Sequence, residues 1–291
     1  MSTTTGIQWT DHTFNIAWGC TKVSAGCTNC YADRDATRYG FKVWGPQAER
    51  RTFGEKHWNE PLRWNRAAAK AGVRRRVFCS SMCDVFEDHP TIDAERELLW
   101  CLIKDTPWLD WQLLTKRADR MQAWATKWRE NLRYSPHEEH AELSSMLTPW
   151  PLPNVWAGVS VEDQATADAR IPLLLQTPAA VRFVSVEPMI GPVDLNPYLI
   201  EVCDIPPLDW CIVGGESGPG ARPCDVDWIR SIVDQCRATR TACFVKQLGA
   251  RRIEDGCHHR GHTASLDRVR DRKGGDSSEW PADLRVREFP G

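Results

Sequence analysis

From Arg76 onward the chain alternates short, nearly unbroken apolar runs with longer stretches whose apolar residues recur at helical spacing. The runs fall at 77–79, 111–114, 155–159, 181–186, 210–213 and 242–245, and an earlier one at 14–18 makes seven candidate strands. Such near-continuous apolarity suits parallel strands covered on both faces. Helices are predicted between them at 93–104, 117–130, 163–176 and 226–239, as a repeating β/α unit requires. Ahead of this rhythm, one helix starts near Tyr31 and another occupies 61–70, with Pro61 in its first turn and Gly72 ending it. The predicted fold class is therefore α/β, a full or partial β/α (TIM-like) barrel.

The length agrees, since about 250 residues is usual for one such barrel and the chain has 291. The expected division is a barrel over 1–249, with an insertion near 131–153, and a polar extension over 250–291 packed on it. The residues that succeed each run are informative. Ser80-Ser81-Met82-Cys83-Asp84, Thr115-Lys116-Arg117, Ser160-Val161-Glu162-Asp163, Glu187-Pro188, Gly214-Gly215-Glu216-Ser217-Gly218 and Lys246-Gln247 place polar groups at successive strand ends. Any one of these is explained as a helix cap or turn, and Ser160 and Asp163 suit a cap well. Their recurrence points to a shared site at the carboxyl ends of the strands, where barrel enzymes assemble their chemistry.

Charge narrows the partners. With 37 basic and 39 acidic residues there is no overall polyanion-binding signature, so any nucleic-acid contact is a local patch. The first residues hold no basic segment followed by an apolar one, and no stretch approaches a membrane span, so the chain reads as cytoplasmic and makes no membrane contact. Twelve cysteines in such a chain argue for metal or redox chemistry rather than a disulfide framework. Most of the fifteen tryptophans are expected to pack the core, leaving some to stack on a planar substrate.

The candidate chemistry centres on Cys20, Cys27 and Cys30, spaced C-x6-C-x2-C directly after the first apolar run. Three thiolates on one short loop suit three corners of a [4Fe-4S] cluster, leaving the fourth iron open to a small ligand. C-x2-C is equally half of a zinc site, for which Cys79, Cys83 or Cys101 supplies a fourth thiolate. Two histidine-bearing segments are weaker. Pro136-His137-Glu138-Glu139-His140 lacks the one-turn spacing of the H-E-x-x-H motif. Gly256-Cys257-His258-His259-Arg260-Gly261-His262 has no second ligand pair nearby and reads as a polar loop.

The cysteine loop resembles that of the phage Gp37/Gp68 family, also labelled as a domain of unknown function and similar to radical S-adenosylmethionine enzymes. The likeness runs from Ile7-Gln8-Trp9-Thr10 and Trp18-Gly19-Cys20 through Cys27, Cys30-Tyr31-Ala32, Ser185-Val186-Glu187-Pro188, Gly214-Gly215-Glu216-Ser217-Gly218 and Lys246-Gln247-Leu248-Gly249 to the 273–290 tail. A more distant similarity is to spore photoproduct lyases, radical enzymes that reverse a thymine dimer. Their Cys-x-Ser, Thr-Lys and Ser elements at strand ends correspond to Cys79-Ser80-Ser81, Thr115-Lys116 and Ser160.

These resemblances imply a barrel of the radical S-adenosylmethionine type, cleaving S-adenosyl-L-methionine to a 5′-deoxyadenosyl radical. Cys20, Cys27 and Cys30 would hold the cluster, and Ser81, Lys116 and Ser160 the amino and carboxylate groups of the cofactor. Cys79, or alternatively Cys83, would return a hydrogen atom to a substrate radical. Glu162, Glu187, Glu216 and Lys246 would line the cofactor and substrate side, with Glu187 and Glu216 catalytic, Glu216 being read as either substrate-side or structural. The implied substrate is a nucleobase or nucleotide, including one within DNA, for modification or repair. The electron donor would be a flavodoxin or ferredoxin, and a protein partner presenting the substrate is left open. Two features depart from the usual radical motif: the first cysteine gap is six residues rather than three, and Asn29 stands where an aromatic residue precedes the last cysteine. The Gly-Gly-Glu element also comes after the sixth run instead of the second. Two other readings stay open, a zinc-stabilised nucleic-acid-binding protein without catalysis, and a barrel hydrolase using Glu187 and Glu216 as an acid/base pair.

Overall fold

The computed structural model describes residues 5–133, 151–203, 205–253 and 270–291. It is a mixed α/β chain in which seven strands hydrogen-bond side by side. In spatial order these are β1 (His12–Phe14), β2 (Arg75–Cys79), β3 (Leu109–Thr115), β4 (Val155–Val161), β5 (Val181–Val186), β6 (Trp210–Gly214) and β8 (Ala242–Gln247). Near-sequential order with helices in the connections is the topology of a partial β/α barrel. The short β7 (Cys224–Asp225) pairs in parallel with β9 (Arg252–Ile253) as a separate ribbon. The helices are α1 (Tyr31–Arg38), α2 (Glu55–Trp58), α3 (Glu60–Ala71), α4 (Pro90–Asp105), α5 (Ala118–Arg133), α6 (Gln164–Leu175) and α7 (Val226–Thr239). No described helix is long and apolar enough to cross a membrane.

The chain divides into two compact units. One is drawn from Met1–Val23, Ala32–Gly158 and Leu173–Val181, the other from Ser24–Tyr31, Val159–Pro172 and Arg182–Gly291. In the first, β1, β2 and β3 pair in parallel, with His12 opposite Val77 and Val77 opposite Trp111. Their residues Phe14, Val77, Trp111 and Leu113 are buried, as are Leu99 and Ile103 of α4. The first strand lies two residues ahead of the apolar run that predicts it. Asn15 ends it, because its side-chain oxygen accepts from Met82 N (2.7 Å) and its carbonyl meets His57 Nε2 (2.8 Å). The polar side chain thus takes the chain off the ladder while Ile16 and Ala17 stay in the core.

In the second unit β5, β6 and β8 pair in parallel, Trp210 standing opposite Phe183 and Ala242. Gly214-Gly215-Glu216 and Gln247-Leu248-Gly249 prove to be two sides of one close backbone approach. A side chain on Gly215 would sit 2.6 Å from Leu248 O and 2.9 Å from Gly249 Cα, so both positions need glycine. The 270–291 segment runs back along β8, Val245 N donating to Val286 O and Glu288 N to Cys243 O, with Trp280 buried. Asp163 and Asp225 cap α6 and α7 through Thr166 N and Asp227 N.

Part of the cysteine count is a packing matter. Cys79, Cys211, Cys224, Cys236 and Cys243 are all buried, and no disulfide joins the described cysteines. Cys211 and Cys243 are neighbours in register on β6 and β8, and Cys236 of α7 is buried in the same unit. They behave as small hydrophobic groups. His137, Glu138, His140, Cys257, His258, His259 and His262 lie outside the described residues, as does most of the expected insertion.

Candidate functional site

The first unit presents the loop that leaves β1. Cys20 is half-buried, and its neighbour Thr21 is gripped on three sides: its N–H donates to Glu87 Oε1 (2.7 Å), its hydroxyl accepts from Arg50 Nη2 (3.1 Å), and its carbonyl accepts from Arg117 Nη2 (2.9 Å). Arg50 and Glu87 form a buried ion pair, Nε to Oε2 at 2.8 Å, and Arg50 also donates to the carbonyls of Val43, Ala48 and Gly45. Arg117 spans Asp84 (2.8 Å) and the Cys20 sulfur (3.7 Å). Burial pushes the Cys20 thiol up to about 12, with the Asp84 and Glu87 charges adding to the rise and Arg117 opposing it. In the absence of bound metal Cys20 is thus a protonated thiol, which a metal would convert to thiolate.

Asp84 organises the same end of the sheet. Its carboxylate accepts from Thr115 Oγ1 (2.7 Å), Lys116 N (3.2 Å), Phe86 N (2.9 Å) and Arg117, so the ends of β2 and β3 are joined by one buried acid. Cys79 ends β2 with its sulfur 3.1 Å from Ser80 Oγ, and burial raises its thiol to about 12. Cys83 is pushed higher still, chiefly by burial. Ser81 shares hydrogen bonds with the Asn15 amide. Among the residues expected at the site, Cys20, Cys79, Ser81 and Lys116 belong to this unit.

Cys27, Cys30, Ser160, Glu162, Glu187 and Glu216 belong to the other. Here the segment Ser24–Asn29 forms a 3-10 turn, Ala25–Cys27, closed by Cys27 N to Ser24 O and continued by Cys30 N to Cys27 O. Two carboxylates hold this turn. Glu162, fully buried at the exit of β4, accepts from Ser24 Oγ (2.8 Å) and from Arg170 Nη1 (3.0 Å), which also reaches Ser160 O. Glu216 accepts from Asn29 Nδ2 (3.0 Å) and is clasped by Arg222 through its backbone N–H, Nε and Nη2, while Arg222 Nη1 donates to Ala25 O (2.8 Å). Burial alone would raise the Glu216 carboxyl, but the Arg222 and Asn29 hydrogen bonds outweigh it and hold it below the usual range. Glu187, at the exit of β5, pairs with Lys246 of β8 (3.1 Å) and accepts from Ser185 Oγ. Of the carboxylates expected on the substrate side, Glu187 alone is turned to a partner as long and half-exposed as Lys246; Glu162 and Glu216 are engaged by the cysteine turn.

Among the described residues no group of three or more His, Cys, Asp and Glu side chains is gathered to hold a single metal ion. Of the thiolates suggested as a fourth zinc ligand, Cys79 is buried at the end of β2 and Cys101 is exposed on α4. A cubic iron–sulfur cluster places its ligands on separate irons. The donors here suit that group chemically, being thiols free of disulfides on a loop anchored by charge-assisted hydrogen bonds, with a guanidinium beside one sulfur. The anchoring residues Arg50, Glu87, Arg117 and Arg222 are not marked by any motif, since each meets the loop across a long span of sequence, and Asp84 and Arg170 stand behind them on Arg117 and Glu162.

Fold and site together define an α/β protein with sequence-ordered strands and a cysteine-bearing loop after the first. The chain belongs to the family described as a protein of unknown function, DUF5131, whose characteristic sequence pattern matches residues 4–278. That description agrees with the expected label of a domain of unknown function and does not itself name the phage Gp37/Gp68 family. No curated protein matches the chain. Among solved structures it is similar to a spore photoproduct lyase carrying a single substitution, at 11% identity and a TM-score of 0.37, covering 79% of this chain and 51% of that one. The chain spans about half the length of that structure, and a likeness at this level carries no argument.

Proposed function

We propose that the protein is a radical S-adenosylmethionine enzyme that holds a [4Fe-4S] cluster on Cys20, Cys27 and Cys30. The observation that supports this most is the anchoring of the cysteine loop by buried acid–guanidinium pairs within each unit, far more organisation than a surface turn needs. When bound, the cluster and S-adenosyl-L-methionine supply one-electron cleavage of the cofactor and abstraction of a substrate hydrogen atom.

The chain's own groups take the remaining tasks. Ser81, Lys116 and Ser160 are assigned to the amino-acid part of the cofactor, for which an ammonium and hydroxyls give charge-assisted bonds. Glu162 contributes to that site indirectly, because it is fully buried with Ser24 and Arg170 on its oxygens. Cys79, held as a thiol by burial, retains the hydrogen that a donor to a substrate radical must carry. Glu187 and Lys246 orient a polar substrate, which we place in the nucleobase or nucleotide class, and a flavodoxin or ferredoxin supplies the electron.

Anaerobic reconstitution tests the reading. About four iron and four sulfide per chain are expected, together with 5′-deoxyadenosine after reduction in the presence of S-adenosyl-L-methionine. A colourless protein, or one that yields no 5′-deoxyadenosine, rejects it.

A further inference from the structure

We infer that Glu216 of the Gly-Gly-Glu element, with Asn29 and Arg222, is a latch that sets the geometry of the Cys27–Cys30 turn and not a substrate contact; this rests on the cluster reading above. Asn29 lies between the two cysteines. Its Nδ2 donates to Glu216 Oε2 at 3.0 Å and to Gly220 O at 2.9 Å. Both are residues of the loop after β6, so the amide fastens the turn to that strand's exit. Arg222 completes the fastening. It binds both oxygens of Glu216 (2.8 Å and 3.0 Å) and uses its remaining nitrogen on Ala25 O (2.8 Å), the first residue of the turn.

The acid is almost wholly buried, at 6% exposure, and its two oxygens accept four hydrogen bonds from the latch. Such a carboxylate is committed: a substrate group would have to displace Arg222 or Asn29 to reach it, leaving a buried charge short of partners. Glu162, neutralised by Arg170, takes Ser24 of the same turn and leaves no room for a side chain at Gly26. Ser24, Ala25 and Asn29 are each held by one of the two acids or its arginine, and Gly26 lies against Glu162. The positions of the Cys27 and Cys30 sulfurs follow from that backbone path, which gives Glu216, Asn29 and Arg222 the role of positioning residues. Partners of this kind tune metal affinity without touching the metal.

The test removes the two partners singly and together. Asn29→Ala takes away the amide that bridges Glu216 and Gly220, Glu216→Gln takes away the charge that Arg222 clasps, and the double variant carries both changes. Each protein is reconstituted with iron and sulfide anaerobically, then followed for iron retention against a chelator, for the electron paramagnetic resonance of the reduced cluster, and for melting temperature of the metal-free form. Each single variant is expected to lose iron about tenfold faster than wild type or more with an altered resonance, and the double variant to lose it by less than the product of the two single effects, because one latch is broken in all three. Equal iron retention and resonance in wild type and Asn29→Ala overturn the latch and leave the cluster reading intact. Losses that multiply in the double variant also overturn it, assigning Asn29 a role that does not run through Glu216. Wild-type protein that takes up no iron overturns both.

Discussion

Arg117 Nη1 lies 3.7 Å from the sulfur of Cys20 and 2.8 Å from Asp84 Oδ2, so one guanidinium is shared between a loop thiol and a buried carboxylate. Its other terminal nitrogen holds Thr21 O, which leaves it little freedom to turn away. A fixed positive charge and hydrogen bond at a ligand sulfur favour the reduced, more negative state of an iron–sulfur cluster. Arg117→Met is therefore expected to move the midpoint potential of the reconstituted protein to a more negative value. Arg117→Lys, which keeps the charge and loses the forked geometry, should fall between. Potentiometric titration reads this directly, and identical potentials in all three proteins would remove Arg117 from the cluster's surroundings.

Gly26 gives a steric prediction in the same loop. A Cβ added there falls against Glu162 Oε1 and within 2.5 Å of Glu162 Cγ. Glu162 cannot step aside cheaply, because Ser24 and Arg170 hold its oxygens and the residue is wholly buried. Gly26→Ala is expected to cost about 1–3 kcal/mol of stability, the usual range for overpacking, and to lower iron uptake. Denaturant unfolding and iron analysis check the two effects separately; a variant with wild-type values for both would mean that the turn relaxes freely.

How far the sequence foretells this arrangement depends on the physical origin of each signal. The strands at 181–186 and 210–213 are legible because apolarity and chain direction act locally, and α7 is found at the 226–239 predicted for it. The loop cysteines stand out by spacing alone. By contrast, the twelve-cysteine total does not say which thiols matter: Cys211, Cys236 and Cys243 are core groups, and composition does not distinguish a thiol that packs from one that ligates. The latch and its counterpart are illegible for a different reason. Arg222 and Ala25 are 197 residues apart, and an arginine between Ala221 and Pro223 has the look of any surface turn until the fold brings it to the cysteine segment. Glu216 is legible only as substrate-side or structural, since Gly214 and Gly215 are required by the crossing with Gln247–Gly249, and that the acid after them turns to Arg222 is visible only in the fold.

The Arg50–Glu87 pair gives a stability prediction. Both side chains are essentially without solvent, 0% and 3% exposed, and Glu87 also receives Thr21 N while Arg50 takes three backbone carbonyls. Removing one charge strands the other in a low-dielectric site. Glu87→Gln is expected to destabilise the fold by about 3–5 kcal/mol, as breaking a buried pair does. The joint replacement Arg50→Met with Glu87→Leu should cost less than the sum of those two changes made singly, because no charge is left behind. Urea unfolding of wild type, the two single variants and the double variant measures the coupling, and strict additivity would show that the two groups act independently.

Asp11 connects the residue just before β1 to β2, and its charge gives the fold a defined acid dependence. Burial raises its carboxyl, but the Arg76 N–H at 2.8 Å and the charges of Arg76 and Arg75 prevail, leaving it below the ordinary carboxylate range. A group whose folded value is depressed stabilises the native state fully above its unfolded value, about 3.9 for aspartate, and loses that contribution as pH falls through the lower folded value. Wild type should accordingly exceed Asp11→Asn in unfolding free energy by a constant margin above about pH 5, with the margin shrinking below about pH 4. Only the difference between the two proteins isolates this carboxyl, since every other acid titrates in both. Urea titrations at stepped pH supply it. A margin that held steady into strong acid would mean that Asp11 works through the shape of its hydrogen bond to Arg76 N and not through its charge, because protonation would then remove nothing that the asparagine lacks.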